Sequence, residues 1–170
     1  TLLFLVVFIQ ALGAARAPIG GVPYVEFLAP GLIMMAILTN AFANSSSSLI
    51  IGKVQGSIVD ILMPPLSALE LTIGFVGGAA ARGLLVGLVT AATSAAFMYW
   101  GGTPMRIAHP LAIVYFALAA TAIFGLLGIL GGIWAEKFDQ LAAVTNFIIT
   151  PLTFLSGTFY AIESLPEPFR

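Results

Sequence analysis

Few groups in this sequence of 170 residues could exchange protons, bind a metal ion or act as nucleophiles: seven Asp or Glu, six Lys or Arg, one His and no Cys. A metal site needs several converging ligands. The single histidine, His109, stands beside Pro110, which favours a capping or interfacial role. The G-x-x-x-x-G-K-[ST] pattern that cradles nucleotide phosphates is absent from the sequence. The sequence therefore predicts no catalytic residue, no metal site and no cofactor held by this chain.

Proton transfer within a membrane would require ionisable groups inside apolar spans. The acidic residues lie instead at the ends of apolar runs or between them: Glu26, Asp60, Glu70, Glu136, Asp139, Glu163 and Glu167. This distribution argues against an enzyme or a proton relay built from this part of a protein. The net charge of −1 also gives no case for a nucleic-acid partner.

The remaining sequence is strongly apolar, with 60% hydrophobic and 8% charged residues and a mean hydropathy of +1.10. Soluble domains carry about 25% charged residues. The charge-free runs are long enough for helices that cross about 30 Å of hydrocarbon. We predict an all-α integral membrane protein, a polytopic helical bundle forming one domain over residues 1–170. The predicted spans are 1–15, 27–51, 82–100, 110–134 and 141–160.

The two ends of the sequence suggest a longer protein. The first predicted span is short and has no initiator Met, so it is interpreted as the end of a span whose beginning is missing. The sequence stops at Arg170 after a proline-rich turn, without a closing helix. We therefore expect an internal fragment of a larger membrane protein.

The predicted start of the third span depends on Arg82, because apolar residues flank this arginine on both sides from Leu71 to Trp100. One span over this whole run would place Arg82 near the midplane, at a cost of about 2.5 to 3.5 kcal/mol. Aromatic residues favour the interface, and a helix from Arg82 to Trp100 is about 27 Å long. We predict that the span is 82–100, that residues 71–81 lie shallow, and that Arg82, Trp100 and Trp134 are interfacial anchors.

The polar stretch at residues 53–70 interrupts these apolar runs. Its periodicity predicts a short interfacial helix, with Lys53, Ser57 and Asp60 on a polar face and Ile58, Ile61 and Leu62 on an apolar one. Pro64 and Pro65 would end this helix. Ser67 and Glu70 fit a capping box that restarts a helix. Two interpretations stay open: a connector that turns the chain, or a docking site for a soluble partner, which the length of the element favours.

Polar residues also occur inside the predicted spans, at Asn40, Asn44 and Ser48 and again at Thr90 and Thr93. Such groups need hydrogen bonds in hydrocarbon, so they face other helices or a wet cavity. Helix packing is favoured over a substrate pathway, and both readings stay open. Two G-x-x-x-G patterns, Gly83 with Gly87 and Gly128 with Gly132, indicate close helix contacts.

Three segments together resemble the membrane subunits of type-two ABC exporters. KVQGSIVDILMPPLSALELTIGFVGGAAARGLLVG (53–87) is similar to their cytoplasmic connector and third span. WAEKFDQLAAVTNFIITPLTFLSGTFYAIESLPEPFR (134–170) is similar to their fifth span and re-entrant hairpin, although Ala161 stands where relatives often carry proline. FLAPGLIMMAIL (27–38) fits the second span. The likeness is closest to the bacterial multidrug or polysaccharide-type permeases.

The resemblance implies a permease of the bacterial inner membrane, of which this chain covers about five of six spans, a coupling helix and the start of the re-entrant hairpin. It implies a homodimer in membrane lipid, driven by separate ATPase subunits that bind ATP and Mg²⁺. The coupling element would seat on the ATPase through Gln55, Asp60, Pro64, Pro65, Ser67 and Glu70. The positive-inside count is a tie, and the resemblance resolves it by placing Lys53, Arg82 and Lys137 in the cytoplasm.

The sequence is compatible with three classes of function. An ABC exporter permease predicts a partner ATPase and no ATP hydrolysis by the isolated subunit. An ion-coupled secondary transporter or channel predicts carboxylates in further spans and transport that survives ATP depletion. A membrane enzyme acting on lipid-linked substrates would need catalytic groups clustered at one interface, whereas those present here are scattered. The sequence does not identify the transported substrate.

Overall fold

The computed structural model describes Val7 and residues 24–100 and 109–155. In these ranges the chain is helical and contains no strand, which confirms the all-α prediction. The elements are α1 (Tyr24–Gln55), α2 (Ile58–Leu62), α3 (Ala68–Trp100), α4 (Pro110–Trp134), α5 (Phe138–Val144), a π-helical turn (Thr145–Ile149) and α6 (Thr150–Leu155). Most of the predicted first span and the re-entrant hairpin at 161–170 lie outside the described residues.

Local sequence signals explain where the long helices begin and end. Glu26 lies in the first turn of α1 and Lys53 in its last turn, which places each charge favourably in the field of the helix dipole. Gly56 follows α1 with φ 75, a left-handed conformation that glycine adopts without steric cost. Pro110 is the first residue of α4, where its missing N–H removes no helical hydrogen bond.

Three of the described helices have the length and apolar character to cross a membrane: Glu26–Gln55, Ala68–Tyr99 and Pro110–Trp134. α1 packs against both α3 and α4, and those two helices also contact each other. Phe42, Leu28 and Leu32 of α1 are almost fully buried, as are Ile50 of α1 and Met98 of α3. α1 is therefore the central helix of the described bundle, and it contains the predicted span 27–51.

Glycines allow these helices to approach closely, as the two G-x-x-x-G patterns predict. A Cβ placed at Gly128 of α4 would lie 2.5 Å from the carbonyl oxygen of Phe42 and 3.0 Å from Cβ of Ser45. A Cβ at Gly87 of α3 would overlap the side chain of Ile37. Neither position has room for a side chain, so both patterns mark helix contacts.

α3 differs from the sequence expectation. It runs without interruption from Ala68 to Trp100, so residues 71–81 belong to the same helix as the predicted span 82–100. This helix is longer than the hydrocarbon core is thick, and the shallow position of residues 71–81 stays a prediction. Gly83 packs on the carbonyl oxygen of Ile37 and on Thr121, both far from the ends of their helices. Arg82 lies near the middle of α3, and its role as an interfacial anchor stays a prediction.

A π-helical turn interrupts the segment that contains the predicted fifth span. The amide and the hydroxyl of Thr150 both donate to the carbonyl oxygen of Thr145. Pro151, directly after Thr150, has no N–H, and its ring would clash with the carbonyl four residues earlier in a regular helix. One wide turn absorbs this mismatch, and the chain stays helical to Leu155.

Candidate functional site

The candidate site lies where α1 ends and α3 begins. The amide of Gly56 donates to the carbonyl oxygen of Lys53 at 3.2 Å, and the left-handed backbone at Gly56 redirects the chain into α2. A Cβ on Gly52 would meet Cδ1 of Ile58 at 3.5 Å and Cδ1 of Ile61 at 3.6 Å. These contacts show that one apolar side of α2 is seated on the last turn of α1. The predicted short helix is thus present and held in place.

The other side of this element exposes large apolar side chains. Val59 is 55% exposed, Leu62 64% and Met63 75%, and Leu66 and Leu69 are also exposed. We call these five residues the docking face. Leu62 was expected to share an apolar face with Ile58 and Ile61, but in the structure it is exposed while those two side chains pack on α1. A five-residue helix has too few turns for periodicity alone to settle which side packs.

The prolines that end α2 and the capping box that begins α3 lie where the sequence predicts them. The amide and hydroxyl of Ser67 donate to Oε2 of Glu70 at 2.8 and 2.7 Å, and the amide of Glu70 donates to Oγ of Ser67 at 3.3 Å. The capping box is therefore confirmed, and it starts α3. Pro64 and Pro65 separate it from α2, and because each proline fixes its own φ angle, the path of the chain is restricted there.

Lys53 joins the end of α1 to the end of α4. Its Nζ donates to the carbonyl oxygens of Ile133, at 2.5 Å, and of Ala135, at 3.0 Å. A lysine satisfies otherwise unpaired carbonyls well at the C-terminus of a helix. The two helix ends are consequently level. Sequence reasoning assigned Lys53 to a polar face and did not anticipate this contact.

The remaining polar residues of this region lie at its surface. Gln55 and Asp60 are exposed, like Pro64, Pro65, Ser67 and Glu70. The structure thus brings all six predicted coupling residues to one end of the bundle, next to the docking face. Among the described residues, no group of three His, Asp or Glu side chains is placed to hold a metal ion.

The polar residues inside the helices form mostly local hydrogen bonds. Nδ2 of Asn40 donates to the carbonyl oxygen of Ala36, and the hydroxyl of Ser48 to that of Asn44. Thr90 and Thr93 likewise donate to carbonyls of their own helix. Ser45, which was not singled out from the sequence, forms a hydrogen bond to a different helix. Its Oγ donates to the carbonyl oxygen of Phe75 at 3.4 Å.

The three predicted interfacial anchors do not all lie at helix ends. Trp134 is the last residue of α4 and is 64% exposed. Trp100 is the last residue of α3, and its side chain lies outside the described part of the structure. Arg82 is exposed but lies midway along α3 and not at its end. The two tryptophans therefore sit at helix ends, where interfacial aromatic residues are expected, and the arginine does not.

Comparisons with known proteins place this arrangement in context. A family model described as ABC-2 type transporter matches residues 1–170. The chain is 39% identical over 168 residues to the inner membrane transport permease YadH of Escherichia coli K12, covering 98% of this chain and 63% of the relative. It is 29% identical over 165 residues to nodulation protein J of Rhizobium leguminosarum bv. viciae, covering 94% of this chain and 60% of the relative.

The chain thus spans less than two thirds of the length of these relatives. No solved structure gives a significant match.

Proposed function

Because the chain belongs to the ABC-2 type transporter family, we propose that it is part of the membrane-spanning subunit of an ATP-driven exporter. Two copies of the full-length subunit would form the substrate pathway in the bacterial inner membrane. ATP and Mg²⁺ would be bound by separate ATPase subunits, so this subunit would hydrolyse no ATP itself. The name of the Escherichia coli relative, a transport permease of the inner membrane, supports both the activity and the location.

The docking face is the observation that most directly supports the proposal. Its apolar side chains stand on a short helix that is packed on α1 through Ile58 and Ile61 and framed by the exposed Asp60 and Glu70. Exposed apolar patches rimmed by polar residues mark interaction surfaces. Lipid is a poorer occupant than protein, since two acidic side chains beside the patch would meet an anionic leaflet.

The seating of the element explains how movement could pass into the membrane. α2 rests on the last turn of α1, and the hydrogen bonds of Lys53 join that turn to the end of α4. The capping box of Ser67 and Glu70 then forms the first turn of α3. One displaced surface helix would therefore shift all three long helices. In the proposed mechanism, closure of the ATPase subunits pushes on the docking face, and these contacts convey the displacement to the pathway.

Purification of the full-length subunit from its native membranes tests the proposal. We expect an ATP-binding subunit to co-purify, ATP hydrolysis to require that subunit, and export to stop when ATP is depleted. Purification without any ATPase subunit, together with transport that survives ATP depletion, would contradict the proposal. That result would favour an ion-coupled transporter instead.

A further inference from the structure

A hollow in the surface adjoins the docking face where α3 begins. Its volume is about 250 Å³, and it is lined by Leu66, Glu70, Leu71, Gly74 and Phe75. We call it the Glu70 hollow. Leu66 belongs to both the docking face and the hollow, so a protein seated on the docking face would lie over the rim. Pockets that enclose drug-sized ligands measure about 300–1,000 Å³, and this smaller hollow suits one large side chain.

Gly74 keeps the hollow open. A Cβ placed on Gly74 would find nothing within 4 Å, and the residue is exposed. The half-buried Leu71 and Phe75 supply apolar surface beside it. The space above Gly74 is therefore not used for packing between the described helices. A larger side chain at this position would fill the hollow and leave those helix contacts unchanged.

Hydrogen bonds hold the lining of the hollow in place. The amide of Leu66 donates to the carbonyl oxygen of Pro64 at 2.7 Å, which closes a tight turn around Pro65, whose ring already fixes a suitable φ angle. The carbonyl oxygen of Phe75 accepts a hydrogen bond from Oγ of Ser45 at 3.4 Å, which ties this part of α3 to α1. A surface that is formed in advance loses less conformational entropy when a partner binds.

The charge of this surface is negative. Oε2 of Glu70 accepts hydrogen bonds from Ser67, while within the described residues Oε1 has no hydrogen bond and the carboxylate has no ion pair. Asp60 is a second carboxylate, and residues 54–81 contain no Lys, Arg or His. Lys53 is occupied by carbonyl oxygens at the end of α4. A cation is therefore the group that complements this surface.

We propose that the Glu70 hollow receives an arginine side chain of the ATPase subunit. The inference rests on the proposed function, because it names the chemistry by which that partner is recognised. The aliphatic part of an arginine would pack on Leu66 and Leu71, its planar guanidinium would stack on the ring of Phe75, and an N–H would donate to the free Oε1 of Glu70. Arginine is also enriched among the residues that dominate protein interfaces.

Filling the hollow tests its role as a receptor. The ATPase that co-purifies with the full-length subunit is purified separately, and its affinity for the full-length subunit is measured in non-ionic detergent. We expect Gly74→Leu to weaken binding at least about tenfold, because the leucine occupies the space for the arginine. Ala81→Leu is the matched control, since Ala81 is exposed on the same helix about 10 Å farther along, and it should bind normally.

Removing the charge tests the role of Glu70. Glu70→Gln keeps an acceptor for the capping box, so α3 should still begin at the same place. We expect this variant to bind the ATPase about tenfold more weakly. The affinity of the unmodified protein should fall as KCl is raised, and that dependence should be smaller in Glu70→Gln, because the screened ion pair has been removed.

A double-mutant cycle identifies the partner's side chain. Each exposed arginine of the ATPase is replaced with glutamine and combined with Glu70→Gln. One of these arginines should show coupling, so that the double variant binds no more weakly than either single variant. If no arginine couples to Glu70, the assignment is overturned.

Two further results would overturn the inference and leave the exporter proposal standing: equal binding by Gly74→Leu and Ala81→Leu, or an unchanged salt dependence in Glu70→Gln. Should Gly74→Leu fail to fold, as judged by thermal unfolding, the Glu70→Gln measurements decide alone. Failure of any ATPase to bind the unmodified protein would refute the exporter proposal, and this inference with it.

Discussion

Replacing Gly128 with alanine is expected to destabilise the helix bundle by about 3 kcal/mol, the upper end of the cost of overpacking a core. The added Cβ would lie 2.5 Å from the carbonyl oxygen of Phe42. That oxygen belongs to the backbone of α1, so it cannot move aside as the end of a side chain could. The two helices must separate, and the contacts of Ser45 and Phe42 with α4 would weaken. The midpoint of thermal unfolding of the full-length protein in detergent measures the effect.

Gly77→Ala is the matched control. Gly77 also lies inside a long helix, and a Cβ placed on it would find nothing within 4 Å. Because alanine favours a helix over glycine by about 1 kcal/mol, this variant should unfold at the same temperature or a higher one. Equal destabilisation by the two substitutions would mean that the close approach of α1 and α4 does not stabilise the fold.

A double substitution on the docking face, Leu62→Glu with Met63→Glu, is expected to abolish assembly with the ATPase. Both side chains are largely exposed, at 64% and 75%, so the change should leave the fold intact. Two carboxylates would have to be desolvated in an apolar contact, and truncating such central contacts alone costs 2 kcal/mol or more each. We expect the affinity for the ATPase to fall at least about a hundredfold, as measured by co-purification and by ATP-dependent export.

Leu111→Glu provides the control for this experiment. Leu111 is 86% exposed and lies in the first turn of α4, at the opposite end of the bundle, where a carboxylate suits the helix dipole. This variant should assemble normally. Assembly of the Leu62→Glu, Met63→Glu protein at the same level would show that the docking face does not contact the ATPase.

The features that the sequence predicted correctly depend on neighbouring residues. The capping box joins Ser67 to Glu70 across two intervening residues and follows a proline break, so its chemistry is complete within one turn. The G-x-x-x-G patterns are similar, since the absence of a side chain at Gly128 is itself the requirement for close approach. The all-α class follows from the long apolar runs.

The features that the sequence missed depend on which helices lie side by side. The packing of Gly83 against Ile37 and Thr121 brings three helices together, which no local pattern encodes. Ser45 forms the hydrogen bond to α3 because it faces Phe75, whereas the more conspicuous Asn40 bonds to its own helix. The contact of Lys53 with the end of α4 likewise joins residues far apart in the sequence.

Photo-cross-linking from position 63 shows directly whether residues 53–70 contact a separate ATPase. A benzophenone amino acid replaces Met63 in the full-length protein, and the same amino acid at Leu111 serves as the control. We expect a light-dependent adduct between position 63 and the ATP-binding subunit, with none from position 111. An ATPase that co-purifies while position 63 forms adducts only with lipid, or forms none, would contradict the proposed contact.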